Sequence, residues 1–358
     1  MLRELEYKAD VREAAERMAA FWEKRELDRP AIWITASRDE PLPGPEPPAP
    51  PSDPVAIWAD QEYRLAAGEH GMRRVWFLAE SFPVMQTHLG PGSLAIHLGS
   101  EPVFQPSTVW YEPCFDSLPG SPDLSLHPDE HWWRWTLEFT RRACTEGAGR
   151  WVVAFPDLIE NLDILASLRG SLELLTDLVD CPEDVHRYQR QILELYMVAY
   201  DELATLQNIP AQGSVFVSFP GWSPGRVCKL QCDMSCMISP DAFREFVQPY
   251  LRSQCRRIDH CFYHLDGPGA VCHLPALLEI DELHGIQWTP GAGVPNVDDE
   301  RWWPLYDEIQ AAGKSTFILG VAPGNVKRLL DRFDPQLTFL STHCASRQEA
   351  EGILSSIS

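Results

Sequence analysis

A histidine and an aspartate lie two residues apart at the end of an apolar stretch. Residues 261–270 read CFYHLDGPGA, so His264 and Asp266 follow apolar and aromatic residues and precede a Gly-Pro-Gly turn. This pattern predicts a short buried strand that ends in a loop requiring the backbone freedom of glycine. Residues two apart on a strand share one face. The pair therefore indicates either a metal or substrate site, or a structural His–Asp hydrogen bond.

Other predicted strands also end in polar or aromatic residues. These strand ends are Glu80, Asp157, Asp233, Trp288, Thr289, His343 and Cys344. Parallel strands of a barrel open at one common rim, where enzymes of this architecture carry their active sites. We therefore expect the acids, His264, Asp266 and Cys344 to surround a single cavity.

The predicted strand at 226–233 assigns its side chains to two faces. Lys229, Gln231 and Asp233 alternate with Cys228 and Cys232. Alternation places the polar set on one face and the cysteines on the other. We expect the polar set to face the interior and the cysteines to pack against helices as small buried hydrophobes.

Eight short apolar strands, most of them followed by a helix, position these residues. They lie at 30–36, 74–79, 151–155, 226–233, from residue 261, 285–289, 315–321 and 337–342. Strands that are apolar on both faces are typical of parallel sheets covered by helices. The sequence thus predicts an α/β protein with one domain over residues 1–358, a (β/α)8 TIM barrel. An N-terminal helical extension occupies 1–29, and a long insertion at 83–126 lies near the barrel mouth.

An open doubly wound sheet is the alternative fold, but no Gly-x-Gly-x-x-Gly follows the first strand. The formal net charge of −22 disfavours nucleic acid and anionic membranes as partners. No apolar run of about 18 residues is present, and the charged N-terminus is unlike a signal peptide. We therefore expect a cytoplasmic protein with a small-molecule substrate, and the oligomeric state stays open.

Four segments of the chain carry a resemblance to a known family. They are MISPDAFREFVQPYL at 237–251, YHLDGPGA at 263–270, GIQWTPGAG at 285–293 and the C-terminal cysteine segment. In this order they resemble the uroporphyrinogen decarboxylase superfamily, over roughly residue 74 to the end. The resemblance implies a (β/α)8 barrel. It also implies one of two activities, a heme-pathway decarboxylase or a zinc-dependent corrinoid methyltransferase.

The sequence departs from the decarboxylase branch at residues 33–38. The Arg-Gln-Ala-Gly-Arg signature that holds substrate carboxylates is replaced there by WITASR, in which Arg38 remains. The methyltransferase branch uses His-x-Cys-Gly and a later cysteine to hold zinc, which presents a substrate thiol as thiolate. The matching residues are His264, Asp266 and Cys344, with aspartate in place of the first cysteine. The resemblance implies zinc at these three residues.

Aspartate is a harder ligand than cysteine, so other divalent metals, or direct binding of a substrate cation by Asp266, stay open. The Asp-x-His-x-x-Gly motif of a corrinoid domain is absent. A corrinoid would therefore be supplied in trans by a partner protein.

We interpret the chain as a metal-assisted methyltransferase acting on a small substrate or thiol. Its catalytic residues are Asp233 and Glu80, which position substrate or move protons. Its substrate-binding residues are Asp157, Gln231, Lys229 and Trp288. The alternatives are a decarboxylase or lyase on a small carboxylated substrate, a glycoside hydrolase using paired acids, and a non-catalytic barrel that binds a small molecule or tetrapyrrole.

Overall fold

A computed structural model describes residues 4–25, 28–126, 131–159 and 161–357. Residues 1–3 and 26–27 of the predicted N-terminal extension lie outside the described residues. The remainder of the extension contains the helix Val11–Trp22.

Strands and helices alternate along most of the chain. The strands are β1 (Ile32–Ser37), β2 (Val75–Ala79), β3 (Val84–Met85), β4 (Glu101–Phe104), β5 (Val109–Glu112), β6 (Val152–Phe155), β7 (Ser214–Phe216), β8 (Trp222–Ser223), β9 (Val227–Leu230), β10 (His260–Asp266), β11 (Gly285–Thr289), β12 (Ser315–Ile318) and β13 (Thr338–Cys344). The helices are α1 (Val11–Trp22), α2 (Pro54–Ala59), α3 (Gln61–Arg73), α4 (Leu94–His97), α5 (His131–Glu146), α6 (Asn161–Arg169), α7 (Ser171–Asp180), α8 (Pro182–Leu206), α9 (Ile209–Gln212), α10 (Pro240–Phe246), α11 (Gln248–Cys255), α12 (Leu274–Leu278), α13 (Trp303–Ala311), α14 (Val326–Arg332) and α15 (Arg347–Ile357). Short 3₁₀ turns lie at Asp233–Met237, Pro268–His273, Glu300–Trp302 and Pro323–Asn325.

Most strands belong to one large, mainly parallel sheet. Its order is β2-β1-β13-β12-β11-β10-β9, and all neighbours are parallel except β1 and β2. A second sheet has the order β3-β6-β7-β8, with β3, β6 and β7 parallel and β8 antiparallel to β7. The α/β class predicted from the sequence is thus confirmed. A third sheet is the two-stranded hairpin β4–β5. Ladder hydrogen bonds among the described residues join the strands into these three separate sheets, so the closed (β/α)8 barrel stays a prediction.

The second predicted strand differs from expectation in its direction. β2 runs antiparallel to β1, with Trp33 paired to Ala79. Its carboxyl end therefore lies beside the start of β1, at the opposite end of the sheet from the carboxyl ends of the parallel strands. Five described strands have no counterpart among the eight predicted ones: β3, β7, β8 and the two strands of the hairpin β4–β5.

One face of the large sheet is lined by aromatic rings at its amino-terminal half. The rings of Phe262 and Phe317 stack with centroids 5.0 Å apart, although β11 lies between their strands. Gly285 of β11 makes this contact possible, because a Cβ there would lie 2.7 Å from the Phe317 ring. Phe21 of α1 packs on Phe317 and Phe339 at 5.6 Å each. We call this face the interior face.

The opposite face of the sheet is covered by helices. Cys228 on β9 contacts the Tyr196 hydroxyl of α8 at 3.1 Å and the Gln254 amide of α11 at 3.5 Å. The expected placement of this cysteine against helices is confirmed. No helix among the described residues has both the length and the apolar character needed to cross a membrane.

Candidate functional site

A buried lysine links the ends of two strands on the interior face. Lys229 of β9 is 1% exposed. Its ammonium donates to both carboxylate oxygens of Asp157, at 3.1 and 3.3 Å, and to Oε1 of Gln231. Nε2 of Gln231 in turn donates to Oδ2 of Asp233 at 3.1 Å. The expectation that Lys229, Gln231 and Asp233 share a face is confirmed by these bonds.

Asp157 and Gln231 are buried together with Lys229. Their hydrogen bonds to the Lys229 ammonium hold them deeper in the protein than Asp233 and Asp266, which are exposed. Substrate contact by these three residues stays a prediction. In this geometry the Lys229 ammonium offsets part of the negative charge of Asp157 and of the nearby Asp233.

A second carboxylate, Asp163 of α6, sits beside Asp233. Its two oxygens accept from the backbone N–H groups of Asp233 at 2.7 Å and Met234 at 3.0 Å, so it caps the 3₁₀ turn Asp233–Met237. Partial burial of the carboxyl group, followed by the negative charge of Asp163, raises the pKa of Asp233 to about 7. Burial also raises the pKa of Asp163. Asp233 is therefore suited to exchange a proton near neutral pH.

His264 and Asp266 end β10 on the same interior face. The His264 Nε2 lies 3.9 Å from Oδ2 of Asp266, and its Nδ1 contacts Oε1 of Gln287 on β11. The Phe219 ring meets the imidazole edge-on at 5.0 Å. Burial, followed by the charge of Lys229, lowers the pKa of His264, so the ring is neutral at pH 7. A neutral imidazole with one unprotonated nitrogen can accept a proton or ligate a metal.

A cavity of about 460 Å³ opens beside the two paired acids. It lies between the hairpin β4–β5, the helix α6 and the turn Asp233–Met237. Its walls include Trp110, Tyr111, Ile159, Asp163 and Asp233, and the lining residues that the structure describes include no Lys, Arg or His. Residues 91–113 of the predicted insertion thus contribute to a pocket wall that faces Asp233. An apolar and aromatic cavity with a few convergent polar groups is typical of a small-molecule site.

The predicted three-ligand metal site does not form in this geometry. No group of three or more His, Cys, Asp and Glu side chains among the described residues could hold a metal. Cys344 is fully buried, and burial followed by the charge of Glu349 on α15 raises its thiol pKa to about 11. Alternation along β13 puts its neighbour His343 on the interior face, where it is exposed and hydrogen-bonded to Thr35 Oγ1 at 2.9 Å. The residues present therefore do not fit zinc held by His264, Asp266 and Cys344.

Glu80 does not join the other acids, and its predicted catalytic position is wrong. It is fully buried, accepts from Arg29 at 2.8 Å and Arg17 at 3.2 Å, and accepts from the backbone N–H of Ile32 at the start of β1. The antiparallel direction of β2 causes this displacement. Glu80 ties the N-terminal extension to the sheet.

Trp288 does not form a pocket wall, so its predicted substrate-binding position is also wrong. It pairs with Leu265 in the register of β10 and β11, whereas its neighbour Gln287 pairs with His264. Trp288 therefore points to the helix-covered face, where it is fully buried and packs on Trp302 at 5.0 Å.

Two residues of the site were missed by sequence reasoning: Asp163 and Gln287. Asp163 meets Asp233 from 70 positions away, and no local pattern signals that contact. Gln287 could have been found, since a polar residue inside the apolar run at 285–289 is a detectable signal.

No protein-family model matches the sequence. No curated protein matches it either. Among solved structures, the fold is similar to that of a methyltransferase from Methanosarcina mazei, with a TM-score of 0.61 at 10% sequence identity. The likeness covers 96% of this chain and 97% of that chain. The chain therefore shares its overall fold with that protein along nearly its whole length.

Proposed function

We propose that this chain is an enzyme of the methyltransferase type, with a small substrate bound in the cavity beside Asp233. The observation that carries the proposal is the convergence of Asp157, Lys229, Asp233, His264 and Asp266, from three strands, next to an aromatic cavity of about 460 Å³. The full-length fold likeness to a methyltransferase supports the reaction class.

The charge of the cavity restricts the substrate. Its described lining contains two carboxylates and no basic side chain, so an anionic substrate would be repelled without compensation. Trp110 and Tyr111 add aromatic faces, which attract methylated cations. We therefore favour a neutral or cationic methylated compound. This choice disfavours the alternative of a decarboxylase or lyase, because its carboxylated substrate would meet Asp163 and Asp233.

The proton chemistry of methyl transfer fits two titratable groups, Asp233 in the turn after β9 and His264 near the end of β10. A thiol R–SH and a methyl donor CH₃–X give R–S–CH₃ and HX. The S–H proton passes to a base, the methyl carbon leaves X and bonds to sulfur, and the proton completes HX. Asp233, with its pKa near 7, and neutral His264 can each hold that proton between the two steps.

Several finer features extend the proposal. We propose that the two sheets belong to one (β/α)8 barrel of the uroporphyrinogen decarboxylase type. A corrinoid protein supplied in trans is the proposed methyl carrier, and the cytoplasm the proposed location. Zinc held jointly by His264, Asp266 and Cys344 is not part of this proposal, because these described residues do not form a three-ligand group. Elemental analysis of protein purified without added metal tests whether zinc is bound at all. About one zinc per chain, reduced in a His264→Ala variant, would support the zinc that the resemblance implies, and metal-free protein would exclude it.

Binding of three small probes of equal shape tests the substrate class. Tetramethylammonium, tert-butanol and pivalate differ mainly in charge, and their binding can be followed by NMR line broadening and by thermal shift. We expect the cation to bind best and pivalate worst, and we expect Asp233→Asn to reduce the preference. Asp241→Asn, at an exposed position, is the matched control and should leave it unchanged.

Turnover tests the reaction itself. Donors with ¹³C-labelled N-methyl or O-methyl groups are incubated with the protein and a thiol or cob(I)alamin acceptor. Transfer of label that Asp233→Asn lowers at least tenfold would support the proposal. Binding of probes without transfer to either acceptor would favour the non-catalytic alternative.

A further inference from the structure

The amide of Gln287 makes three contacts that together define its orientation. Gln287 is 2% exposed on the interior face of β11. Its Nε2 donates to the backbone carbonyl of Trp288 at 2.7 Å and to Oγ1 of Thr289 at 3.0 Å. Its Oε1 contacts Nδ1 of His264. Both hydrogens of the amide nitrogen are thus used on one side, and the oxygen faces the histidine.

The opposite orientation of this amide is excluded by hydrogen-bond chemistry. Rotating the amide by 180° would place Oε1 against the carbonyl oxygen of Trp288, and both atoms only accept. It would also leave a buried carbonyl without its donor, which costs about 1–3 kcal/mol. The bond to Trp288 therefore dictates that the oxygen of Gln287 faces His264.

This orientation determines where the hydrogen of the imidazole lies. In a neutral histidine one ring nitrogen donates and the other accepts. Because Oε1 of Gln287 only accepts, Nδ1 of His264 must carry the hydrogen, and Nε2 must carry the lone pair. Nε2 is the atom that faces Asp266, 3.9 Å from its Oδ2.

We propose that Gln287 is a positioning residue that holds His264 in the Nδ1–H tautomer, so that Nε2 is the reactive ring atom of the site. The assignment of a reactive role rests on the proposed function, whereas the tautomer rests on geometry alone. A hydrogen bond to the distal ring nitrogen also fixes the ring plane, as it does for histidines that ligate metals or act as bases.

One substitution separates positioning from simple filling of space. Gln287→Met preserves volume but has no oxygen, so Nδ1–H loses its acceptor and the Nε2–H form should become populated. Gln189→Met is the matched control, because it removes another fully buried amide, in α8.

Long-range ¹H–¹⁵N correlation spectra of ¹⁵N-histidine-labelled protein read the tautomer directly, in the full chain and without substrate. The His264→Asn variant assigns the signals. We expect a protonated-type Nδ1 and an unprotonated-type Nε2 in the wild type and in Gln189→Met, and a mixture or reversal in Gln287→Met. A wild-type spectrum with protonated Nε2 at pH 7.5 would overturn the proposal, even if Gln287→Met failed to fold.

The failure of this inference can be told apart from failure of the proposed function. If the tautomer is as expected but no methyl transfer occurs, the positioning by Gln287 stands and the reaction class does not. If transfer occurs and Gln287→Met retains both the tautomer and the wild-type kcat, the positioning role is refuted while the enzyme assignment stands.

Discussion

Replacing Lys229 with methionine should destabilise the protein strongly, because the lysine neutralises a buried carboxylate. Lys229 is 1% exposed, and the side chain of its partner Asp157 is 12% exposed, with an Nζ–Oδ1 distance of 3.1 Å. Removing one member of a buried ion pair leaves the other charge uncompensated, at a cost of roughly 3–5 kcal/mol. A domain is stable by only about 5–15 kcal/mol. The variant should therefore lose a large part of the free energy of unfolding.

Urea denaturation of two single variants and one double variant measures this loss. Lys327→Met is the matched control, since its 2.6 Å pair with Asp331 is exposed on both sides and should be worth about 0.5 kcal/mol or less. Combining Lys229→Met with Asp157→Leu removes both buried charges and should recover most of the loss. If Lys229→Met lowers the free energy of unfolding by no more than Lys327→Met does, Lys229 does not neutralise a buried charge.

Three further substitutions test other parts of the account. In the folded protein the pKa of Asp233, about 7, lies above the ordinary aspartate value of about 4, so the free energy of unfolding should fall as pH rises from 4 to 7. Thermal midpoints measured at pH 4.5 and pH 8 should show this fall in the wild type and a smaller fall in Asp233→Asn. Gly285→Ala places a Cβ 2.4 Å from the Ser315 carbonyl oxygen and 2.7 Å from the Phe317 ring, and it should cost about 1–3 kcal/mol in urea denaturation; an unchanged midpoint would contradict the stacking across β11. Glu80→Gln should lower the urea midpoint, because Arg29 and Arg17 lose their buried partner, but it should leave binding of tetramethylammonium unchanged.

The sequence predicts which side chains share a face wherever a strand has one polar and one apolar face. Lys229, Gln231 and Asp233 were placed together on the interior face because their neighbours in sequence are apolar or cysteine. The same rule places His264 with Asp266. This local periodicity is a property of the strand itself and needs no knowledge of the partner strands.

The errors arose where an assignment depended on non-local information. Glu80 ends an apolar strand like the others, but no local pattern says that β2 runs antiparallel. Trp288 and Cys344 each lie one position from the residue that faces the interior, and a shift of one position exchanges the two faces. Trp288 and Cys344 are both apolar enough to pack against helices. Their polar neighbours Gln287 and His343 lie on the interior face, where Gln287 is buried and His343 is exposed.

A titration of the Asp233 carboxyl group tests the central claim most directly, namely that the acid facing the cavity exchanges a proton at neutral pH. Carbonyl-detected NMR of protein labelled with ¹³C at aspartate side chains follows each carboxyl group, and the Asp233→Asn spectrum assigns the signal. We expect a midpoint near pH 7, caused by incomplete hydration and the adjacent Asp163. A midpoint near pH 4, the ordinary value for aspartate, would contradict the account.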